Sequence, residues 1–406
     1  MNLFIQQQQQ QIIDNSNPNF TINFILDNLI NSEQNPLNIE LKNKIKNINI
    51  KSLGIDGFIS KLYKINIEFN DNKIKEFNCI FKVPTIEKLD GEIKYDTKGR
   101  EELIEWIDHV HKSECRFYNE VSPLLQKSPI PLNFRIPKVY ASKYSEQSYN
   151  NFLLMEDLCS NKNENIFQVE LADGLNNEQV ESAISSIAQF HALSLWLPKE
   201  LINSFKNHPD LDIDDKSLKI NERIFSTQDT KELFKGKEKE LKNLFERSGI
   251  YQIDQHKIFK LDPVIVHGDT WTNNFFFKQI NNNCVEFYSL FDWQVVHIGT
   301  GINDIVRLIF VCVDAELRRK NSIKWLKIYE ESFNKIINKL GNEFITKLKS
   351  FELIKEIANY HSEYECCFQL FLISNILGQE NDQIKRQKLI KRMKYLFDDC
   401  CKEEIF

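Results

Sequence analysis

Val264-Ile-Val-His-Gly-Asp-Thr-Trp-Thr-Asn-Asn274, followed by Phe291-Asp-Trp-Gln294, is the stretch on which the reading of this chain turns. The short apolar run Val264 to Val266 predicts a buried strand, and Phe275 to Phe277 resumes as a strand directly after the loop. A third run, Val285-Glu-Phe-Tyr-Ser-Leu-Phe291, ends at Asp292. Two acids, Asp269 and Asp292, therefore leave the ends of neighbouring strands, with the amide of Asn274 on the loop between. A loop pinned at both ends by strands can bring such groups to one place.

The residue types have a chemical reading. Moving the γ-phosphoryl group of ATP to a hydroxyl requires a carboxylate near the attacking oxygen, and metal ions that neutralise charge on the phosphates. An Asn amide oxygen and an Asp carboxylate are hard ligands that suit Mg²⁺ and leave sites for water and phosphate. In this pattern Asp269 is the candidate base, and Asn274 and Asp292 are the candidate metal ligands. The bland alternative makes Asp269 a turn residue after Gly268, Asn274 a loop residue and Asp292 a helix cap. The flanking strands and the second strand-borne acid weigh against it.

His267-Gly-Asp-x-Trp-x-Asn-Asn274, Phe291-Asp-Trp-Gln294, Gly299 and Asp304 together resemble the ecdysteroid kinase-like group, also called the choline-kinase-like (CHK) family, within the aminoglycoside phosphotransferase and choline kinase superfamily. The resemblance runs roughly from Leu53 to Gly378, with its specific motifs in the C-terminal half. It implies an α+β, bilobal, protein-kinase-like fold: a small N-lobe with an antiparallel sheet and a helix, then a larger, mainly helical C-lobe. It also implies an enzyme that uses ATP and Mg²⁺ to phosphorylate a hydroxyl on a small molecule, either a steroid-like lipophilic alcohol or an amino alcohol such as choline. The expected organisation is a disordered Gln-rich tail over 1–18, an N-lobe over 19–155 and a C-lobe over 156–406.

The N-terminal half contains the other parts such a fold needs. Tyr63, Ile65, Ile67 and Phe69 alternate with polar residues, which predicts a half-buried antiparallel strand. Asp71-Asn72 can turn the chain, and Phe77 to Val83 returns as its partner. Gly54 and Gly57 precede this hairpin and read either as a loop that lets the backbone approach phosphates or as a simple turn. Lys82 stands between Phe81 and Val83; by residue type alone it is an exposed-edge lysine, and by resemblance it is the lysine that reaches the ATP phosphates. The resemblance makes Glu114 its partner, on a helical face shared with Tyr118, while Glu120 competes for the role and a solvated surface charge is the plain reading of Glu114. Asn151 to Leu158 reads as a strand ending in acids. By resemblance it is the segment joining the lobes, where adenine bonds backbone groups near Met155 to Asp157, with Glu156 and Leu158 as the binding positions.

Further along, Asn176 lies three residues before Gln179 in a capping arrangement, and Val180, Ala183, Ile184, Ile187, His191 and Leu195 recur at helical spacing until Pro198. His191 reads as a hydrogen-bonded core histidine and His267 as structural. Asp304 is expected to cap a helix and brace the catalytic loop. Trp271 and Trp293 flank the two acids as packing or as pocket wall. Glu87 to Arg100 reads as an exposed connection before a helix beginning near Glu101. The segment from Ile354 to Phe371 is helical in pattern, and core packing is favoured over pocket lining for its aromatics.

Global properties suit a two-lobed enzyme. A net charge of −6 and a pI near 5.9, with lysines interspersed among acids, argue against nucleic acid as a partner. Nine cysteines without a C-x-x-C motif suggest neither a disulfide framework nor a zinc site, and point to a reducing, cytoplasmic setting. No apolar run is long enough to span a bilayer. The oligomeric state is not legible. A pseudokinase, a module that binds nucleotide without turnover, is the rival reading; the joint presence of Lys82, Asp269, Asn274 and Asp292 disfavours it. The missing Ala-Pro-Glu motif, and the lack of an Arg before Asp269, disfavour protein substrates.

Overall fold

The computed structural model describes residues 11–14, 17–34, 36–53, 59–87, 97–145, 150–160, 164–206, 227–248, 255–281, 284–341, 350–401 and 405–406. The chain divides into two compact units. One comprises Met1–Pro123 and Ile136–Asn163; the other comprises Leu124–Arg135 and Glu164–Phe406. The first unit thus runs past the boundary expected at 155. Residues 124–135 are claimed by the second because Arg135 joins its sheet, with the Arg135 amide donating to the Tyr288 carbonyl at 2.8 Å.

The first unit is built on a five-stranded antiparallel sheet of order β1-β2-β3-β5-β4. Helix α1 (Ile22–Ile30) precedes β1 (Ile45–Ser52), β2 (Ser60–Phe69) and β3 (Glu76–Pro84). Helix α2 (Thr97–Arg116) follows and runs into a π-helical turn, Phe117–Val121; β4 (Val139–Lys143) and β5 (Phe152–Glu156) complete the sheet. Alternation along β2 buries Tyr63, Ile65, Ile67 and Phe69 while Lys64, Asn66 and Glu68 stay half-buried, the pattern of a strand with one face in the core. The β2–β3 hairpin closes at Asp71, whose Oδ1 accepts the amides of Lys73 and Ile74 at 2.8 and 3.0 Å. Phe81 points into a cluster with Ile22, Ile25, Leu26 and Leu29 of α1 and meets Phe20 edge-on at 5.1 Å.

The tail expected over 1–18 is corrected at its inner end. The Ile13 amide donates to the Phe20 carbonyl at 2.7 Å, Ile12 bridges Thr21, and Asp14 is buried 3.4 Å from the Lys61 amine. Ile13 finds a place in the α1–sheet core, which is why the chain is ordered here. Helix α2 begins at Thr97, earlier than the expected Glu101, and most of the connection read over 87–100 lies outside the described residues.

The second unit is mainly helical. Strand β6 (Ile166–Phe167) leads to α3 (Asn177–Ser194). Strand β7 (Val264–Val266) pairs with β10 (His297–Gly299), and β8 (Phe275–Asn281) pairs with β6 and β9 (Cys284–Leu290). Helices α4 (Ile302–Cys312), α5 (Ala315–Leu340), α6 (Phe351–Leu377) and α7 (Gln383–Cys400) follow β10. Every residue of α4 is buried, so it forms the axis of the helical core. No helix among the described residues is long and apolar enough to cross a membrane.

Candidate active site

In the first unit, Lys82 and Val83 follow Phe81 on β3, and strand alternation turns Lys82 to the face opposite the α1 core. There it meets α2. The Lys82 amine lies 2.9 and 2.8 Å from the two carboxylate oxygens of Glu114, and both side chains are buried. A buried ion pair of this kind persists only where each charge is matched, since an unpaired ion carries a desolvation penalty of several kcal/mol. Lys82 is therefore not an edge lysine in solvent. The competing acid, Glu120, is held by Arg116 on its own helix at 3.0 and 2.9 Å. Beside the pair, burial pushes the His111 imidazole down to about 4, against a hydrogen bond to the Lys143 carbonyl that raises it.

At the end of β5 the Glu156 amide is spent on the Lys138 carbonyl at 2.9 Å. Two residues on, the Leu158 amide makes no backbone hydrogen bond to the described residues. Gly54 and Gly57 lie outside the described residues.

In the second unit, β7 is buried along its length and delivers His267-Gly-Asp269 as a loop. The loop's hydrogen bonds account for its shape. Asp304, in the first turn of α4, accepts the His267 amide on Oδ2 and the Gly268 amide on Oδ1, both at 2.8 Å. It does not cap its own helix; Gly301 holds that position, and the carboxylate serves the loop instead. His191 approaches Asp304 Oδ2 through Nε2 at 3.1 Å and the Tyr329 hydroxyl through Nδ1 at 3.0 Å, which places it in the structural network expected of it. Burial acts to raise the Asp304 carboxyl, but the hydrogen bond and charge of His191, the charge of His267 and the Gly268 amide hold it down at about 2.

His267 takes one tautomer by elimination. Its Nδ1 accepts the Asp269 amide at 3.2 Å, so the proton sits on Nε2 and is donated to the Phe291 carbonyl at 2.8 Å. Burial lowers its pKa, against the charges of Asp304, Asp269 and Asp292, which raise it. Gly268 adopts φ +81°, and a Cβ there would stand 2.5 Å from the Val295 carbonyl oxygen, so the turn requires glycine.

Asp269 is oriented by its neighbours. Its Oδ2 accepts the Trp271 indole N–H at 3.0 Å and the Asn274 amide at 2.8 Å, and that amide also reaches the Asp269 carbonyl at 2.9 Å. The other oxygen, Oδ1, keeps no bond that short. The side chain retains 27% of its surface, the part that can face a reactant. Burial raises its pKa; Arg307 and His267 oppose that, and the Asp292 charge adds to it.

The β8–β9 pairing brings the second acid to the loop. Phe275 pairs with Leu290, and the Phe291 amide donates to the Asn274 carbonyl at 3.0 Å, so Asp292 follows one residue beyond the Asn274 backbone. Asp292 has φ +67°, a left-handed conformation that Asp tolerates better than most residues. The residues fit a hard cation on chemical grounds. Asn274 gives its side-chain nitrogen to Asp269, so its side-chain oxygen is the atom that could serve a cation, and Asp292 could add a carboxylate. Among the described residues there is no cluster of three or more His, Cys, Asp or Glu suited to a metal. A two-ligand site completed by phosphate and water oxygens is a different arrangement, the one Mg²⁺ uses with nucleotides.

Trp271 and Trp293 divide. Trp293 is fully buried against His267 at 4.5 Å and Phe190 at 5.0 Å, which makes it packing, whereas Trp271 orients Asp269.

Sequence reading missed Arg307 and Glu365. Arg307, on α4, sends Nη1 to the Gly268 carbonyl and stands 3.6 Å from Asp269 Oδ1; its Nε lies 2.7 Å from Glu365 on α6, and its guanidinium stacks on Phe368 at 3.8 Å. The signal available was a lone arginine within Ile305-Val-Arg-Leu-Ile-Phe310, an otherwise apolar run.

An antiparallel-sheet unit with a buried Lys–Glu pair, and a helical unit carrying a strand-borne His-Gly-Asp loop, define a kinase-like protein. The chain belongs to the ecdysteroid kinase-like family, whose family model matches residues 54–342. It is similar to an uncharacterized kinase-like protein of Caenorhabditis elegans, 23% identical over 396 residues that cover 92% of this chain and 97% of that one. It also resembles an uncharacterized oxidoreductase of the same organism, 25% identical over 332 residues, 76% of this chain. The match spans only 37% of that longer protein. Among solved structures, an ethanolamine kinase of Plasmodium vivax aligns with a TM-score of 0.46 at 12% identity, over 96% of this chain and 91% of that one. A thermostable aminoglycoside phosphotransferase mutant aligns at 0.33 and 10%, over 92% and 98%. Both scores are low, and the family assignment rests on the sequence match.

Proposed function

We propose that this chain is an ATP- and Mg²⁺-dependent phosphotransferase that phosphorylates a hydroxyl group of a small molecule. The observation that carries the reading is the state of Asp269: one carboxylate oxygen is held by Trp271 and Asn274, and the other is left facing the site on a loop clamped by Asp304. Asp269 would accept the proton of the acceptor hydroxyl as its oxygen attacks the γ-phosphorus, while the bond from that phosphorus to the bridging oxygen breaks and ADP leaves. Asn274 and Asp292 would hold Mg²⁺, which neutralises phosphate charge when bound. Lys82, fixed by Glu114, would position the phosphates, and backbone groups of Glu156 and Leu158 would meet the adenine. The acceptor is a steroid-like or other lipophilic alcohol, or an amino alcohol. Nine free cysteines, acidic net charge and the lack of a basic stripe support a cytoplasmic setting without nucleic acid as a partner.

The test is an untargeted search for the metabolite that gains a phosphate when protein and MgATP are added to a cell extract. With that acceptor, Asp269→Asn is expected to lower kcat by roughly 10²–10⁴-fold, the usual worth of a positioned base, with MgATP affinity kept. Full kcat in that variant would remove Asp269 from the role. MgATP binding with no phosphorylated metabolite would support a nucleotide-binding module instead.

A further inference from the structure

We infer that Arg307 is the positioning residue of the candidate base, anchored by Glu365 and acting through the Gly268–Asp269 peptide. This rests on Asp269 being the base, and its test separates the two ideas.

The guanidinium has two edges, and each is committed. The Nε and Nη2 edge faces Glu365 at 2.7 and 3.3 Å, a forked pairing that fixes the plane of the group. Phe368, one turn from Glu365 on α6, holds that plane from its face at 3.8 Å. The remaining nitrogen, Nη1, is thereby aimed at the catalytic loop, where it donates to the Gly268 carbonyl and stands 3.6 Å from Asp269 Oδ1. If Arg307 served only to tie α4 to α6, its Glu365 edge would suffice. Its other edge does something the helices do not need.

The carbonyl of Gly268 and the amide of Asp269 belong to one peptide unit. Arg307 holds its oxygen, and His267 Nδ1 holds its hydrogen at 3.2 Å. A planar unit gripped at both poles has little rotational freedom, so the direction in which the Asp269 Cα–Cβ bond leaves the loop is set jointly by His267 within the loop and by Arg307 from α4. Trp271 and Asn274 then hold Oδ2, and Oδ1 is left beside a cation too distant to occupy its lone pairs. Small displacements of a reacting group cost large factors in rate, which gives such a clamp its value.

The experiment uses the full chain at one fixed pH, with five tryptophan indole N–H signals followed by NMR and that of Trp271 identified by its loss in Trp271→Phe. In Arg307→Met the Trp271 indole N–H is expected to exchange with solvent at least tenfold faster. ADP release from MgATP in the presence of the acceptor is expected to fall at least tenfold, with KM for ATP changed less than about twofold. Glu365→Gln is expected to show a smaller change in the same direction. Because a single substitution leaves a buried charge unmatched and can unfold the protein, the double variant Arg307→Met with Glu365→Leu repeats the measurement with both charges removed. Arg307→Lys keeps charge and loses the fork, and should resemble Arg307→Met. Folded variants with unchanged indole exchange and turnover, or an Arg307→Lys indistinguishable from the parent, would overturn the inference. If instead Asp269→Asn keeps full turnover while Arg307→Met still frees the Trp271 indole, the base reading fails and the positioning stands.

Discussion

Asp304 touches no reactant in this scheme, yet two amides of the catalytic loop depend on it. Its carboxyl, buried and held at about 2, lies below the value near 3.9 of an unfolded chain. The sign follows from that order: the ionised group stabilises the fold at every pH above the unfolded value, and the contribution disappears as pH falls through about 2. The gap corresponds to roughly 2–3 kcal/mol. Asp304→Asn should therefore lower the denaturant midpoint at pH 7, and the deficit should shrink between about pH 4 and pH 2. Part of the deficit would persist, because an Asn amide turned toward His267 or Gly268 cannot accept both N–H groups. A deficit independent of pH would count against the ionised network. Some residues were readable in the chain through their type and spacing: the Asn274 side chain bonds Asp269, the Phe291 amide just before Asp292 meets the Asn274 carbonyl, and Lys82 joins Glu114. Arg307 was not, because its meaning depends on Glu365, fifty-eight positions away on another helix, and nothing local relates the two.

At the scale of elements, local signals worked where local physics decides. Strand alternation in β2, the Asp71 turn and the start of α3 were all legible. In α3, Asn176 accepts the Gln179 amide at 3.0 Å and Gln179 returns a bond to the Asn176 amide at 2.9 Å, satisfying orphan donors at the helix start. Asn176→Ala is expected to destabilise the protein by about 1 kcal/mol, within the usual range of cap removals, read as a drop in thermal midpoint. A loss indistinguishable from zero would show that tertiary packing of α3 fixes its start without the cap. Other features escaped. The sheet order β3-β5-β4 is set by pairing between distant segments. The π-helical turn Phe117–Val121 continues α2 and buries Phe117, Tyr118 and Val121, and Pro123 two residues beyond it was the one local signal of a disturbed ladder. Ile12 and Ile13 resembled the Gln-rich tail before them because two apolar residues form no periodic pattern, although a core stood ready to receive them.

For the molecule as a whole, burial divides residues that composition treats alike. All nine cysteines are free, and Cys79, Cys115, Cys312, Cys366, Cys367 and Cys400 are buried while Cys159, Cys284 and Cys401 are exposed. They fall in both compact units, so thiol reactivity reports on the integrity of each. Burial raises the thiols of Cys312 to about 12 and of Cys159 to about 11, and thiolate is the reacting form. In a neutral buffer without denaturant, an aromatic disulfide reagent should therefore modify no more than the three exposed thiols, with Cys159 the slowest because its thiolate is scarce. In denaturant all nine should react, without prior reduction. Peptide mapping of the modified sites assigns them, and rapid labelling of Cys79 or Cys312 under native conditions would show that its core is open.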